Sequence, residues 1–146
     1  MKATMVLADW AEAMNGKLYI MGGGWSITGP MPVPSAIALK IEVPWEETNR
    51  QHSLRLALID DDGHEVIPVG NEKPIEITGK FEVGRPTGFP PGMSMDSVLA
   101  LPLPPIPLEP GKRYQWRLWI DDQTKDDWNC TFIVRRGQPQ PGRPLG

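Results

Sequence analysis

Apolar and polar residues alternate with a period of two along five segments of the chain, as they do in strands with one buried and one solvated face. In residues 114–120, for example, large apolar side chains fill every second position, and Gln115 and Arg117 stand between them. Weaker alternation indicates four further strands. The strong segments are 36–43, 53–59, 75–83, 114–120 and 128–134, and the weaker ones are 3–8, 17–21, 65–69 and 97–103.

Eight or nine short strands with alternating faces predict an all-β fold. One-faced alternation is typical of antiparallel sheets that bury their apolar faces together, so we expect an antiparallel two-sheet β-sandwich as one domain over residues 1–136. Residues 9–14 are predicted to form a short helix, and residues 59–64 a hairpin turn. The last ten residues, 137–146, contain three prolines and three glycines and are predicted to be a disordered tail.

Tyr114 follows the turn sequence 108–113 and stands at the start of the penultimate predicted strand. In immunoglobulin-like sandwiches a tyrosine often occupies this position, and its hydroxyl bonds back to the preceding corner. The last third of the chain resembles such a domain in this respect. The resemblance implies an immunoglobulin-like sandwich and is silent on activity.

A second resemblance lies near the N-terminus, where residues 8–9 read Ala-Asp and residues 16–25 read Gly-Lys-Leu-Tyr-Ile-Met-Gly-Gly-Gly-Trp. This segment resembles the opening of a family of uncharacterised bacterial proteins that is frequent in actinobacteria. The resemblance implies a domain of unknown function and implies no activity.

The composition indicates which kinds of partner and which cellular compartment we expect. The 146 residues carry 15 basic and 18 acidic side chains, a formal net charge of −3, and without a basic excess we expect no nucleic-acid binding. No stretch resembles a membrane span or a signal peptide, so we expect no membrane association and a cytoplasmic location. The single cysteine, Cys130, cannot form an intramolecular disulfide and is predicted to be a buried structural residue.

Four carboxylates surround the predicted turn between the last two strands. A hard cation such as calcium binds several carboxylate oxygens, and the loop 44–51 would add Glu46 and Glu47 if the immunoglobulin-like strand order holds. Acidic residues also populate solvated turns, so these residues are only weak metal candidates, and we predict no cofactor. The four residues are Asp121, Asp122, Asp126 and Asp127.

No segment carries a catalytic motif. The glycines at 22–24 lack the helix N-terminus and the Lys-Ser/Thr pair of a phosphate loop, and Gly-x-Ser-x-Gly is absent. The only histidines, His52 and His64, are few for a metal centre, and the acidic run 60–62 before Gly63 is typical of a hairpin turn. We therefore predict that the protein is not an enzyme, with a hydrolase of unrecognised site as a remote alternative.

Apolar residues predicted to be exposed point instead to binding. Trp119 has the opposite register from Trp116, so we expect it on the outer face of its sheet, and the apolar loop 88–95 should not stay bare in a soluble monomer. The leading hypothesis is a non-catalytic binding or assembly module whose partner is another protein or a second copy of the chain. The predicted interface residues are Phe89, Met93, Met95, Arg117 and Trp119.

A second hypothesis is a small-ligand module for carbohydrate or calcium. It would use the strand-end tryptophans, which can stack on sugars, or the acidic turn. These tryptophans are Trp10, Trp25 and Trp45.

Overall fold

The computed structural model describes residues 1–137, which form ten β-strands and one turn of 3-10 helix. Within these residues there is no helix with the length and apolar character that crossing a membrane requires. The 3-10 turn is Trp45–Glu47, and the strands are β1 (Lys2–Ala8), β2 (Trp10–Met14), β3 (Lys17–Met21), β4 (Ile27–Thr28), β5 (Ser35–Val43), β6 (Gln51–Asp60), β7 (Glu76–Glu82), β8 (Met95–Leu103), β9 (Arg113–Ile120) and β10 (Asn129–Val134).

The strands form two packed sheets and a separate two-stranded ribbon. One sheet has the order β1-β5-β8, and the other has the order β4-β10-β9-β6-β7. Every pair is antiparallel except β4 and β10, which run parallel. The predicted all-β sandwich is confirmed, with ten strands instead of eight or nine.

The core lies between the two sheets and consists of the side chains that the alternation assigned to the inner faces. Strand β5 contributes Ile37, Leu39 and Ile41, and β9 contributes Trp116 and Leu118 from the opposite sheet, all of them fully buried. Burying one such side chain stabilises the fold by roughly 1.5–3 kcal/mol. This inner face is therefore the main source of stability.

The prediction of a helix at residues 9–14 is wrong, because the segment forms β2 and pairs with β3. Its residues Ala11, Glu12 and Ala13 are good helix formers, but this propensity is a weak preference that tertiary contacts override. The turn that follows also favours the pairing of β2 with β3. Asn15 and Gly16 have φ angles of 52° and 72°, which is typical of the tight turns that join paired strands.

The prediction of a strand at residues 65–69 is also wrong. Only Glu65 forms a bridge, to Ile59, and Pro68 cannot donate a hydrogen bond to a ladder. The backbone N–H of Val69 bonds instead to the carbonyl of Pro107. The disordered tail predicted for residues 137–146 lies outside the described residues, apart from Gly137.

The ribbon β2–β3 forms a third layer on the outer face of the three-stranded sheet. Ala36 and Ala38 point to that outer face, since they alternate with core residues of β5, yet they are only 3% and 2% exposed. Strand β2 lies close to β5 and β8 and covers them. The face of the ribbon with Ala11 and Leu18 packs on this sheet, although Ile20 on the same face is 42% exposed, and the opposite face is open to solvent.

Tyr114 makes the hydrogen bond that its position in the sequence predicts. Its hydroxyl accepts a bond from the backbone N–H of Glu109 at 3.1 Å, and its ring packs against Phe132 with a centroid distance of 5.9 Å. The bond fixes the connection between β8 and β9, which crosses from one sheet to the other.

Candidate functional site

The solvent-facing side of the ribbon β2–β3 carries a group of large apolar side chains. The antiparallel register places Trp10 opposite Met21, Glu12 opposite Tyr19, and Met14 opposite Lys17, and side chains of directly paired residues lie on the same face. We call these six residues the ribbon face. Four of them are large and apolar: Trp10 is 48% exposed, Met21 is 65% exposed, and Tyr19 and Met14 are each 47% exposed.

The base of the ribbon is held by backbone bonds and by a close approach at Gly22. The N–H of Asp9 lies 3.1 Å from the Met21 carbonyl, and the N–H of Gly24 donates to the Leu7 carbonyl at 2.7 Å. Gly22 has a φ of 60°, and a Cβ at this position would overlap the carboxylate of Asp9. Gly22 and Gly24 therefore shape the backbone where β3 ends.

An apolar cleft of about 500 Å³ lies beside the base of the ribbon, between the ends of the two sheets. We call it the Trp25 cleft. Its lining includes the buried Trp116 and Phe132 of the five-stranded sheet and Leu103 of the opposite sheet, and the segment 29–33 forms part of its wall. The cleft thus reaches from the surface to the side chains of the core.

The polar groups of this cleft are few. The indole of Trp25 packs edge-on against Phe132, with ring centroids 6.0 Å apart at an angle of 82°. Its Nε1 is buried and has no hydrogen-bond partner within residues 1–137, and such a buried donor typically costs about 1–3 kcal/mol. Asp9, Thr28, Ser35 and the indole of Trp116 are the other lining side chains that carry polar atoms.

Comparison with known protein families gives one match. The sequence model of a family of unknown function, DUF6941, matches residues 3–133. The chain belongs to this family. The match includes the whole ribbon face and all of the Trp25 cleft except Val134, so both surfaces are part of the family's domain. No curated protein and no solved structure matches the chain.

The predicted interface residues Arg117 and Trp119 lie on the outer face of the five-stranded sheet in this DUF6941 domain. Both are half-buried and line a groove of about 480 Å³ together with Gln115 and Thr131. The guanidinium of Arg55 stacks on Trp119 at 4.7 Å from the ring centroid. That stacking covers part of the indole, so Trp119 is less available to a partner than an unstacked tryptophan.

The predicted loop residues do not join this groove. Phe89 and Met93 are exposed, as expected, but they are absent from the groove lining. Met95 does not lie at an interface as predicted. It is the first residue of β8, pairs with Val43 and is buried in the core. The loop and the Arg117–Trp119 groove are therefore two separate surfaces.

The four acidic residues of the last turn are not gathered around one point. Within residues 1–137, the one set of three possible metal ligands whose atoms lie within 4.8 Å of one another is Asp60, Asp62 and His64. That set is a turn in which Oδ1 of Asp60 accepts bonds from the backbone N–H groups of Asp62 and His64, each at 2.9 Å.

Asp121 contacts a buried histidine, His52, instead of a group of other carboxylates. The same histidine contacts Glu47, so the loop 44–51 lies at the same end of the sandwich as this turn. Nδ1 of the buried His52 lies 2.7 Å from Asp121 Oδ2, and its Nε2 lies 2.7 Å from the backbone carbonyl of Glu47. His52 also stacks on Phe81 with a centroid distance of 5.3 Å.

The pKa of Asp121 results from opposing effects. Burial by itself raises it, because the charged form loses solvation. Hydrogen bonds from His52 and the Ser53 backbone N–H oppose this change. The charges of His52 and Arg50 act in the same direction, and the pKa of Asp121 lies below its ordinary value.

Cys130 is unsuited to nucleophilic chemistry. Burial raises the pKa of its thiol to about 11, and its Sγ lies 3.3 Å from the carbonyl oxygen of Met5, to which it donates. The reactive form of cysteine is the thiolate. The high pKa therefore leaves almost all of this residue in the unreactive thiol form near neutral pH.

The three strand-end tryptophans occupy three different sites. Trp10 belongs to the ribbon face, and Trp25 lines the cleft. Trp45 lies under the guanidinium of Arg85, 4.1 Å from the ring centroid. The ribbon face was not predicted from the sequence, although the Asn15-Gly16 pair is a strong signal for a hairpin that joins β2 and β3.

Proposed function

We propose that this chain is a non-catalytic assembly module that associates with a second copy of itself through the ribbon face. The observation that carries the proposal is the concentration of four half-exposed, large apolar side chains on one side of a two-stranded ribbon. A contiguous apolar patch of this kind marks an interaction surface in a soluble protein. The interface then lies on the ribbon face, and not at Trp119 or the 88–95 loop.

The charges on the ribbon face support a second copy as the partner. The face carries one acid, Glu12, and one base, Lys17, in diagonal positions of the register. In a contact with twofold symmetry the same patch meets itself, so each pairing occurs twice. Glu12 of one copy can then meet Lys17 of the other at two equivalent places, while the apolar residues pack between them.

The experiment is a measurement of native mass by sedimentation or light scattering over a range of protein concentrations. We expect wild type to form a dimer and the double variant Trp10→Ser, Tyr19→Ser to be a monomer. The matched control is Ile67→Ser, Val69→Ser, since these side chains are 52% and 62% exposed on a different loop. A wild-type monomer, or a control that dissociates as fully as the ribbon variant, overturns the proposal.

A charge exchange tests the twofold geometry. Glu12→Lys and Lys17→Glu each place like charges together, and we expect each to weaken association by about tenfold or more, because like charges across an interface are unfavourable. The double exchange restores opposite charges and should return the affinity to near the wild-type value. A double variant no tighter than either single variant contradicts the proposed pairing.

We infer, further, that the sandwich is immunoglobulin-like and that the protein acts in the bacterial cytoplasm. The strand order supports the first part: β9 and β10 pair as the last hairpin with β6 beside β9, and β1, β5 and β8 form the facing sheet. The Tyr114 bond to Glu109 supports it too. One unpaired cysteine in a small β-domain is typical of a reducing compartment.

A further inference from the structure

We propose that the tip of the ribbon β2–β3 is a modification site, at which Asn15 converts without an enzyme to isoaspartate and thereby opens the ribbon. Asn15 and Gly16, with φ angles of 52° and 72°, form the turn between the paired residues Met14 and Lys17. The effect on the ribbon is independent of assembly. The effect on assembly rests on the proposed function, since the ribbon face is the surface proposed to join two copies.

The reaction joins the side chain of Asn15 to the backbone of the next residue. The backbone nitrogen of Gly16 attacks the side-chain carbonyl carbon, and a new C–N bond closes a succinimide ring. The side-chain amide leaves as ammonia with the proton that the Gly16 nitrogen loses. Water then opens the ring at either of its carbonyl groups and gives aspartate or isoaspartate. No electrons are exchanged, so water is the only co-reactant.

The turn favours this reaction at Asn15. Gly16 has no side chain to hinder the approach of its nitrogen, and a Cβ at this position would meet no atom within 4 Å, so the tip has room for the ring. The N–H of Gly16 makes no backbone hydrogen bond within residues 1–137. Both residues are exposed to water, and a hairpin tip belongs to the parts of a protein that open most readily.

The other asparagines lack this combination, because each is followed by a residue with a side chain that crowds the attacking nitrogen. Asn49 is a matched internal control. It has a φ of 58°, close to that of Asn15, but a different next residue. The three asparagines are Asn49, Asn71 and Asn129, and they are followed by Arg50, Glu72 and Cys130.

Isoaspartate changes the length of the turn, because the main chain then runs through the former side chain and gains a carbon atom. The type and length of the turn fix the register of a hairpin. The ladder from the Met14–Lys17 pair to the Trp10–Met21 pair therefore loses the turn that closes it. The aspartate product keeps the main chain, and Asp-Gly is also favoured in this kind of turn.

The test is ageing of the purified protein in mildly alkaline buffer. Peptide mass spectrometry measures conversion at each asparagine, and we expect Asn15 to be converted well before Asn49 and Asn71. In the isoaspartate fraction, native trypsin should cleave after Lys17 about tenfold faster than in fresh protein, because cleavage follows the population of locally opened chain. The native mass of this fraction should fall from dimer to monomer.

Two variants separate the modification from its consequences. Asn15→Gly has no side-chain amide and gives a Gly-Gly pair, which this turn accepts, so its ribbon should age without change. Asn15→Asp carries the charge of the products on an unaltered main chain, and when fresh it should be cleaved after Lys17 at the wild-type rate. The matched control is Asn49→Gly, at a positive φ outside the ribbon, and it should age like wild type.

The outcomes distinguish the site from its effects. An unchanged Asn15 after ageing, or conversion of Asn49 and Asn71 at the same rate, overturns the modification site. Conversion to isoaspartate without faster cleavage after Lys17 overturns its effect on the ribbon. Fresh wild type that is a monomer refutes the proposed function and leaves the cleavage result valid, whereas a dimer that persists after the ribbon opens overturns the link to assembly.

Discussion

The carboxylate of Asp121 lies 2.7 Å from Nδ1 of His52, a residue 69 positions earlier in the chain. The contact joins the turn after β9 to the start of β6, and the backbone N–H of Ser53 adds a second bond to the same carboxylate at 3.0 Å. Asp121 also has a φ of 51°, a conformation that aspartate tolerates better than most residues. One end of the sandwich is therefore stabilised by an acidic residue of the last hairpin turn.

The lowered pKa of Asp121 predicts a dependence of stability on pH. A carboxyl group whose pKa is lower in the folded state contributes stability at pH values above its unfolded pKa of ~3.9. This contribution is lost as the pH falls from that value through the lower pKa of the folded state. We expect urea unfolding to show this loss in wild type, whereas Asp121→Asn lacks this component. Parallel acid profiles for the two proteins would contradict the prediction.

Replacing His52 should destabilise the fold more than replacing the other histidine. His52→Ala removes a side chain that is 1% exposed, its two hydrogen bonds and its stacking on Phe81, so we expect a loss of about 2–4 kcal/mol in the free energy of unfolding. The control is His64→Ala, whose side chain is 79% exposed, with an expected change within about 0.5 kcal/mol. Chemical denaturation measures both, and equal changes would refute the structural role of His52.

Gly22→Ala should destabilise the base of the ribbon. The substitution places a side chain at positive φ, which costs roughly 1–2 kcal/mol, and adds an overlap with the Asp9 carboxylate. Gly63→Ala is the matched control, because Gly63 has a φ of 81° and open space around the new Cβ. Urea unfolding should show a larger loss for Gly22→Ala, and a loss no larger than that of the control would show that the close approach is unimportant.

Cys130 should react slowly with thiol reagents in the folded protein. Its pKa of about 11 leaves roughly 100-fold less thiolate at pH 8 than an ordinary pKa near 9 would, and burial restricts access further. We expect modification by Ellman's reagent to be slow in buffer and fast in urea. The chain has one cysteine, so the signal has a single source, and similar rates in both solvents would count against its partly buried position.

The alternation of apolar and polar residues was sufficient to predict the main strands and which of their side chains face inward. The alternation in β5 and β9 predicted that Ile37 and Trp116 lie in the core, because side chains on a strand point alternately to its two sides. The position of Tyr114 predicted its bond to the corner before β9. Both are short-range relationships, which a single sequence displays directly.

The same kind of reasoning failed where distant contacts prevail over local preference. The segment 10–14 contains helix formers, yet it becomes a strand because it pairs with β3 and packs on Ala36 and Ala38. The apolar loop 88–95 predicts an interface position for Met95, but the pairing of β8 with β5 places this residue in the core.

The sequence by itself determined that this chain builds a layered β-structure and which side of each main strand faces inward, since both depend on the spacing of residues a few positions apart. Only the tertiary structure decided that His52 meets Asp121, that the ribbon leaves Trp10 and Tyr19 exposed, and that Trp25 lines a cleft reaching Trp116. These features depend on which strands become neighbours, and strand pairing is set by the packing of the whole chain, not by the pattern within any one segment.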